Sequence, residues 1–259
     1  DRFFFEYEKI LSNNDTPDWH EKSIGGAHVE SNLKNNESGA AAFVRNYIES
    51  FKIFHFHDTG KTAKIKQASH INDNSFLRED GSNLASYLYM MQTMHPKEFR
   101  RIEMVVSSVA PYFEGFNLQP DRINPEMIRL EWREKGTDFY FNATHLSDGT
   151  LRFIALTTLM LQPNPPKVII IDEPELGLHP FAINKLAGLI KKASAQSQII
   201  LSTQSVNLID NFEPEDIITV DRKDKQSLFK RQNSEELKDW IGNYSISDLW
   251  YKNVIGGHL

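Results

Sequence analysis

The sequence predicts an α/β protein: a mainly parallel sheet flanked by helices, preceded by a helical and antiparallel portion. Helix and strand patterns alternate over residues 148–161, 167–171, 180–193, 198–202 and 217–220, and that alternation is the mark of βαβ units. Within it, Val168-Ile169-Ile170-Ile171 is an unbroken apolar run, as expected of a strand buried on both faces of a parallel sheet. The 259 residues, 40% of them hydrophobic, are enough for the core of one large domain or two small ones. By pattern the chain divides into residues 1–125, helical and mixed, and 126–259, which hold the alternating elements.

Residues 1–39 are polar, with Asn13-Asn14-Asp15, Gly25-Gly26 and Asn35-Asn36 marking turns. The chain opens at Asp1 into Phe3-Phe4-Phe5 without an initiator Met or a signal-peptide pattern, which reads as a chain whose beginning is absent. A helix is expected over 40–50 and a short aromatic strand over 51–56, closed by a turn at Thr59-Gly60. Asp80-Gly81-Ser82 starts a second helix with Leu84, Leu88 and Met91 on one face. Pro96 starts a third, through about Val109, with Phe99, Ile102 and Val106 in register. Ile128, Leu130 and Trp132 alternate with Arg129 and Glu131, and Gly136 separates them from 139–141, which predicts a hairpin.

A net charge of −6 supplies no global field for nucleic acid, so any DNA contact needs a local patch or a further segment. With no cysteine, disulfides, thiolate metal sites and thiol chemistry are excluded, which suits a cytoplasmic protein. No apolar run approaches the roughly 18 residues of a membrane span.

The chemistry concentrates after residue 145. The strand at 168–171 ends in Asp172-Glu173-Pro174. The first of two adjacent carboxylates at a strand's carboxyl end can hold hydrated Mg²⁺, and the second can take a proton from attacking water. Alone, the run also fits a buried strand followed by a solvated acidic turn. Upstream, Leu146-Ser147-Asp148-Gly149-Thr150 runs straight into a helix, a place where backbone N–H groups and the helix dipole can meet phosphate. A serine-capped turn would look the same. Pro174-Glu175-Leu176-Gly177-Leu178-His179-Pro180 follows the acidic pair, and the strand at 198–202 leads to Thr203-Gln204-Ser205.

In this order the four segments resemble the signature, Walker B, D-loop and switch of ABC-type ATPases of the RecF/SMC-like (AAA, OLD-like) group. The resemblance implies ATP and Mg²⁺ as cofactors, with Asp172 binding the metal and Glu173 as general base. Ser147 with Gly149 would touch the γ-phosphate of a nucleotide held by the opposite subunit, Asp148 and Thr150 would belong to the same nucleotide-binding segment, and Glu175 and His179 would belong to the D-loop. Gln204 stands where the group usually has His; an amide can hydrogen-bond but cannot carry charge or shuttle a proton. The active form would be a homodimer closed by an ATP sandwich, serving DNA repair, chromosome maintenance or phage defence, with DNA and a separate effector protein as candidate partners and no membrane. The alternative is a non-hydrolysing regulatory or scaffold protein that recruits an effector.

No Gly-x-x-x-x-Gly-Lys-Ser/Thr segment occurs. Gly60-Lys61-Thr62 follows a strand, but His55 stands where the loop's first glycine belongs. This chain is therefore expected to be inactive alone. His55, His57 and Asp58 alternate as some metal-hydrolase ligands do, but two histidines on a strand are more often structural. Lys61, Lys64 and Lys66, and Arg222, Lys223, Lys225, Lys230 and Arg231, form basic groups read as solvated faces.

Overall fold

The computed structural model describes residues 4–13, 18–37 and 39–257. Part of the turn read at Asn13-Asn14-Asp15, and Asp1 with Phe3, lie outside them. Packing separates two compact units, residues 1–52 with 166–168, and residues 53–165 with 169–259.

In the first unit β1 (Glu8–Ser12) and β2 (His20–Gly25) form an antiparallel pair. Helix α1 (Gly39–Glu49) buries only Ala41 and leaves Phe43, Tyr47 and Ile48 exposed. The helix expected over 40–50 is thus present.

The second unit holds the core. A three-stranded sheet has the order β10-β9-β3, with β3 at Phe51–Phe54, β9 at Val168–Asp172 and β10 at Gln198–Ser202. Helix α5 (Pro180–Ala193) joins β9 to β10 as a crossover, the connection that parallel neighbours require. Pro180 at its first turn and Lys191 and Lys192 at its last suit its ends. Helix α4 (Asp148–Leu161) is buried from Phe153 to Leu161, so it is apolar all round, as a central helix must be. It packs against α3 (Pro96–Val109) and α5. Helix α2 (Leu84–Met94) pairs with α3 through Leu88, Met91, Ile102 and Val106, all fully buried.

The strand expected over 127–132 is two strands with different partners. Strand β6 (Met127–Ile128) pairs with β4 (Ser69–His70), whereas β7 (Glu131–Glu134) lies between β5 (Phe113–Phe116) and β8 (Tyr140–Asn142). Between them the Leu130 carbonyl accepts from Ala143 N–H at 2.9 Å. The antiparallel hairpin expected across Gly136 is present as β7–β8. After α6 (Val206–Ile209) the strand expected at 217–220 becomes β11 (Ile218–Lys223). It pairs antiparallel with β12 (Gln226–Arg231) and does not extend the parallel sheet. Helices α7 (Ser234–Ile241) and α8 (Ile246–Tyr251) follow, and Leu237, Leu249 and Ile255 form a small separate core.

A cavity of about 310 Å³ lies by the carboxyl end of α4, lined by Tyr87, Met90, Met94, His95 and Gln162 among others. It sits at the opposite end of α4 from Ser147, roughly 20 Å along the helix at 1.5 Å per residue, and so is separate from the acidic turn. No helix among the described residues is long and apolar enough to cross a membrane.

Candidate functional site

Four chain segments meet where β3, β9 and β10 end and α4 begins. Ser147 caps α4: its Oγ accepts from Thr150 N–H at 3.1 Å and lies 2.8 Å from Thr150 Oγ1, a cap of the kind typically worth about 1 kcal/mol. Asp148 sits in the first helical turn, where its charge suits the dipole, and pairs with Lys66 Nζ at 3.0 Å. The Lys66 hydrogen bond holds the Asp148 carboxyl below the ordinary carboxylate range. That pairing therefore adds stability above the unfolded pKa and loses it as pH falls through the lowered folded value. Lys66 is almost fully buried and also donates to the Thr59 carbonyl at 2.5 Å, and Lys64 pairs with Asp80 at 3.1 Å. Both lysines are engaged with carboxylates.

Gly149 has a steric reason to be glycine. A Cβ there would lie 2.3 Å from the Gly177 carbonyl oxygen, so the start of α4 touches the 174–180 loop backbone to backbone. Gly149→Ala should therefore destabilise the fold by about 1–2 kcal/mol. The clash at the upper end of overpacking costs outweighs the roughly 1 kcal/mol of helix propensity that Ala gains. A melting temperature a few degrees lower is expected, and an unchanged one would contradict this contact. Gly177 has φ +75°, a left-handed conformation that glycine adopts freely.

Asp172 is exposed at the end of β9, and its Oδ1 accepts the Ser202 hydroxyl. Glu173 is half-buried with φ +40°, a conformation that costs a non-glycine residue on the order of 1 kcal/mol or more. The peptide joining Asp172 to Glu173 is held at both ends. Its N–H donates to the Ser202 carbonyl at 2.9 Å, and its carbonyl accepts from His57 Nε2 at 2.8 Å. Glu175 Oε1 accepts the Thr203 hydroxyl at 2.5 Å, and Glu175 Oε2 is buried without a hydrogen-bond partner among the described residues. His179 caps α5, its Nδ1 accepting from Phe181 N–H at 3.3 Å. Gln204 is exposed in the turn after β10.

The segments Ser147–Thr150, Asp172–Glu175 and Gly177 thus share one packed corner with Ser202 and Thr203, while His179 and Gln204 sit at its margin. Sequence reasoning missed the residue that ties the corner together. Arg152, on α4, donates from Nε to the Phe56 carbonyl at 3.0 Å, from Nη2 to His57 O at 2.7 Å and from Nη1 to Leu176 O at 2.6 Å. The signal was a charged residue inside an otherwise apolar helix, which needs acceptors wherever it is buried. His57, read as more often structural than metal-binding, has a structural partner that the sequence did not name. It braces Asp172, its ring 6.3 Å from that of His55, and no group of three or more His, Cys, Asp or Glu gathers as a metal cluster among the described residues. Gly60-Lys61-Thr62 forms a turn leading into a single 3₁₀ turn at Lys64–Lys66, without the α-helix that follows a phosphate loop.

A family model described as "AAA domain, putative AbiEii toxin, Type IV TA system" (AAA_21) matches residues 9–210. The chain belongs to this AAA-domain family. It is an ATPase family, and the matched span includes every segment of the corner. Among curated proteins the AAA-domain chain is 31% identical over 88 residues to ABC transporter A family member 11 of Dictyostelium discoideum. It is 36% identical over 68 residues to ATP-binding cassette sub-family A member 6 of Mus musculus. Those matches cover 30% and 26% of this chain but 10% and 4% of the relatives, so it spans only a small part of their length. Among solved structures, an SMC head bound to the C-winged helix domain of ScpA aligns with TM-score 0.52 at 18% identity, over 72% of this chain and 57% of that one. That likeness is one of fold: an α/β head with a parallel sheet flanked by helices.

The residues of the corner fit half of what an ATP- and Mg²⁺-using site needs. Exposed Asp172, the orphaned Glu175 Oε2 and the Ser202 hydroxyl are hard oxygens, and Mg²⁺ is commonly held by one or two carboxylates with waters and phosphate oxygens. At Ser147–Thr150 the helix start presents backbone N–H groups. A Lys-bearing phosphate loop does not occur in the 259 residues.

Proposed function

We propose that this chain carries the signature, Walker B, D-loop and switch of an ATP-hydrolysing ABC/SMC-like machine, with residues 126–259 as its catalytic lobe. The observation that carries the proposal is the corner itself, in which Gly149 meets the Gly177 carbonyl and the Asp172–Glu173 peptide is pinned at both ends. Mg²⁺ and ATP, when bound, supply the γ-phosphoryl group and the neutralisation of its charge. Asp172 would hold the metal, and Glu173 accepts the proton of the attacking water. Ser147 and Gly149, flanked by Asp148 and Thr150, offer hydroxyl and backbone donors to the γ-phosphate held by a second copy. Glu175 and His179 shape the loop between the copies, and Gln204 orients water or phosphate through its amide.

The active form is a head-to-tail homodimer closed by ATP and opened by hydrolysis. Its biological work lies in DNA repair, chromosome maintenance or phage defence in the cytoplasm, with DNA or a separate effector as partner. Support for the DNA role comes from resemblance and not from charge, since Lys64, Lys66 and Lys230 all sit in ion pairs. Gln204 favours a second reading, an ATP-gated scaffold without turnover, and the rate of phosphate release by the full-length protein separates the two.

Ser147→Arg in the full-length protein tests the two-copy arrangement. Turnover should fall to background while each monomer still binds nucleotide, because the bulky cation blocks closure by the opposite copy. The lost cap costs about 1 kcal/mol and is read separately as melting temperature. Failure of the variant monomer to bind nucleotide would overturn the arrangement.

A further inference from the structure

The loop after β3 has no part in the roles assigned above, yet it reaches the reacting corner. His57 Nε2–H donates to the Asp172 carbonyl at 2.8 Å across 115 residues of sequence. The same peptide's N–H donates to Ser202 O at 2.9 Å, so it is clamped from β10 on one side and from the β3 loop on the other. The orientation of this peptide sets the direction in which the Glu173 side chain leaves the backbone. Glu173 has φ +40°, and such a conformation persists only when its surroundings over-determine it. Pro174 after it narrows the backbone further. The clamp is itself held firm, because Arg152 Nη2 donates to the His57 carbonyl at 2.7 Å and Nε to the Phe56 carbonyl at 3.0 Å. Arg152 also reaches the Leu176 carbonyl, at 2.6 Å, on the far side of the acidic turn.

We infer that His57 is a positioning residue for Glu173: its Nε2–H fixes the Asp172–Glu173 peptide and with it the strained turn from which the Glu173 carboxylate is presented. His57 touches neither substrate nor metal in this assignment. Asp172 and Glu173 keep their roles, and the inference rests on the ATPase reading of that turn. A misaimed general base lowers the rate of the chemical step and leaves ground-state binding largely intact.

The test uses the full-length protein with His57→Ala and His57→Gln, the second because a side-chain amide N–H can donate where Nε2–H does. In the nucleotide-free protein, amide hydrogen exchange across residues 169–176 should be on the order of tenfold faster in His57→Ala than in the wild type, with α5 unchanged as the control for folding. His57→Ala should lose about tenfold or more in kcat with KM within about twofold, and His57→Gln should recover most of both effects. Wild-type turnover in His57→Ala overturns the inference, as does a tenfold rise in KM at constant kcat. Exchange unchanged at 169–176 overturns it equally. A wild-type protein without any turnover defeats the ATPase reading instead, and the exchange measurement then still decides whether His57 holds the turn.

Discussion

Glu173→Gln abolishes ATP turnover by the full-length protein, with an expected loss of roughly 10²- to 10⁴-fold in kcat, the usual contribution of a positioned general base. The amide matches the carboxylate in size, so the half-buried side chain repacks without a cavity. The backbone at φ +40° is held by the Ser202 carbonyl and the His57 ring, both of which bind backbone atoms of the Asp172–Glu173 peptide and not the altered carboxyl. Asp172, with its Ser202 hydrogen bond, is untouched, so nucleotide and Mg²⁺ binding should persist. An enzyme that closes on ATP but cannot split it accumulates as an ATP-bound dimer. Phosphate release and light scattering in the presence of ATP measure the two halves of the expectation. Full turnover in Glu173→Gln would remove Glu173 from the role of base.

The elements that sequence reading placed best are those with local instructions. Helices α3, α4 and α5 begin at Pro96, Asp148 and Pro180, where a proline or a capping serine sets the start and a regular apolar face sets the length. The second half of the α/β pattern went astray at β11 because the turn after it carries no glycine. Asp224 and Lys225 both take positive φ, +51° and +65°, the conformation of a type I′ hairpin that Asn-Gly usually announces. Without that mark, 217–220 looked like one more parallel strand. Met127 to Trp132 misled for another reason: alternation reports which face is buried, and two short strands in different sheets can share one alternating phase.

At the site, the residues with chemistry in their own side chains were legible and those that hold backbone were not. Asp172, Glu173 and the Ser147–Thr150 turn stand out by their order and spacing along the chain, since each alone also fits an ordinary acidic or serine-capped turn. Three of the four carbonyl groups that Arg152 and His57 act on lie 95 to 115 residues away, and a carbonyl leaves no trace in a sequence. His57 attracted attention as half of an alternating pair of imidazoles. Its actual partner, the Asp172 carbonyl, is supplied by the parallel sheet that brings the end of β3 beside the end of β9.

The 259-residue chain by itself should bind ATP·Mg²⁺ with Kd weaker than about 1 mM, a binding free energy of no more than about 4 kcal/mol. Micromolar affinity needs about 8 kcal/mol, and in nucleotide-binding proteins of this kind most of it comes from a glycine-rich loop whose N–H groups and lysine surround the β- and γ-phosphates. Gly60-Lys61-Thr62 cannot stand in for that loop. Gly60 N–H already donates to Asp58 Oδ1 at 3.2 Å, so an approaching phosphate meets a carboxylate at the first donor. The chain continues into the short 3₁₀ turn at Lys64–Lys66, which has no α-helical dipole to offer. At the acidic corner, Asp172 and Glu173 repel a polyanion that brings no excess of metal. The start of α4 attracts an anion by roughly 0.3–1 kcal/mol at an exposed site, and Asp148 in its first turn, although paired with Lys66 at 3.0 Å, already occupies part of that field. That single attraction falls far short of half of the micromolar requirement. Calorimetric titration of the chain with ATP and Mg²⁺ measures the outcome directly. Saturable micromolar binding would mean that these residues grip triphosphate by a route other than a phosphate loop. Loss of that binding in Lys61→Ala would then identify the turn after β3 as the place.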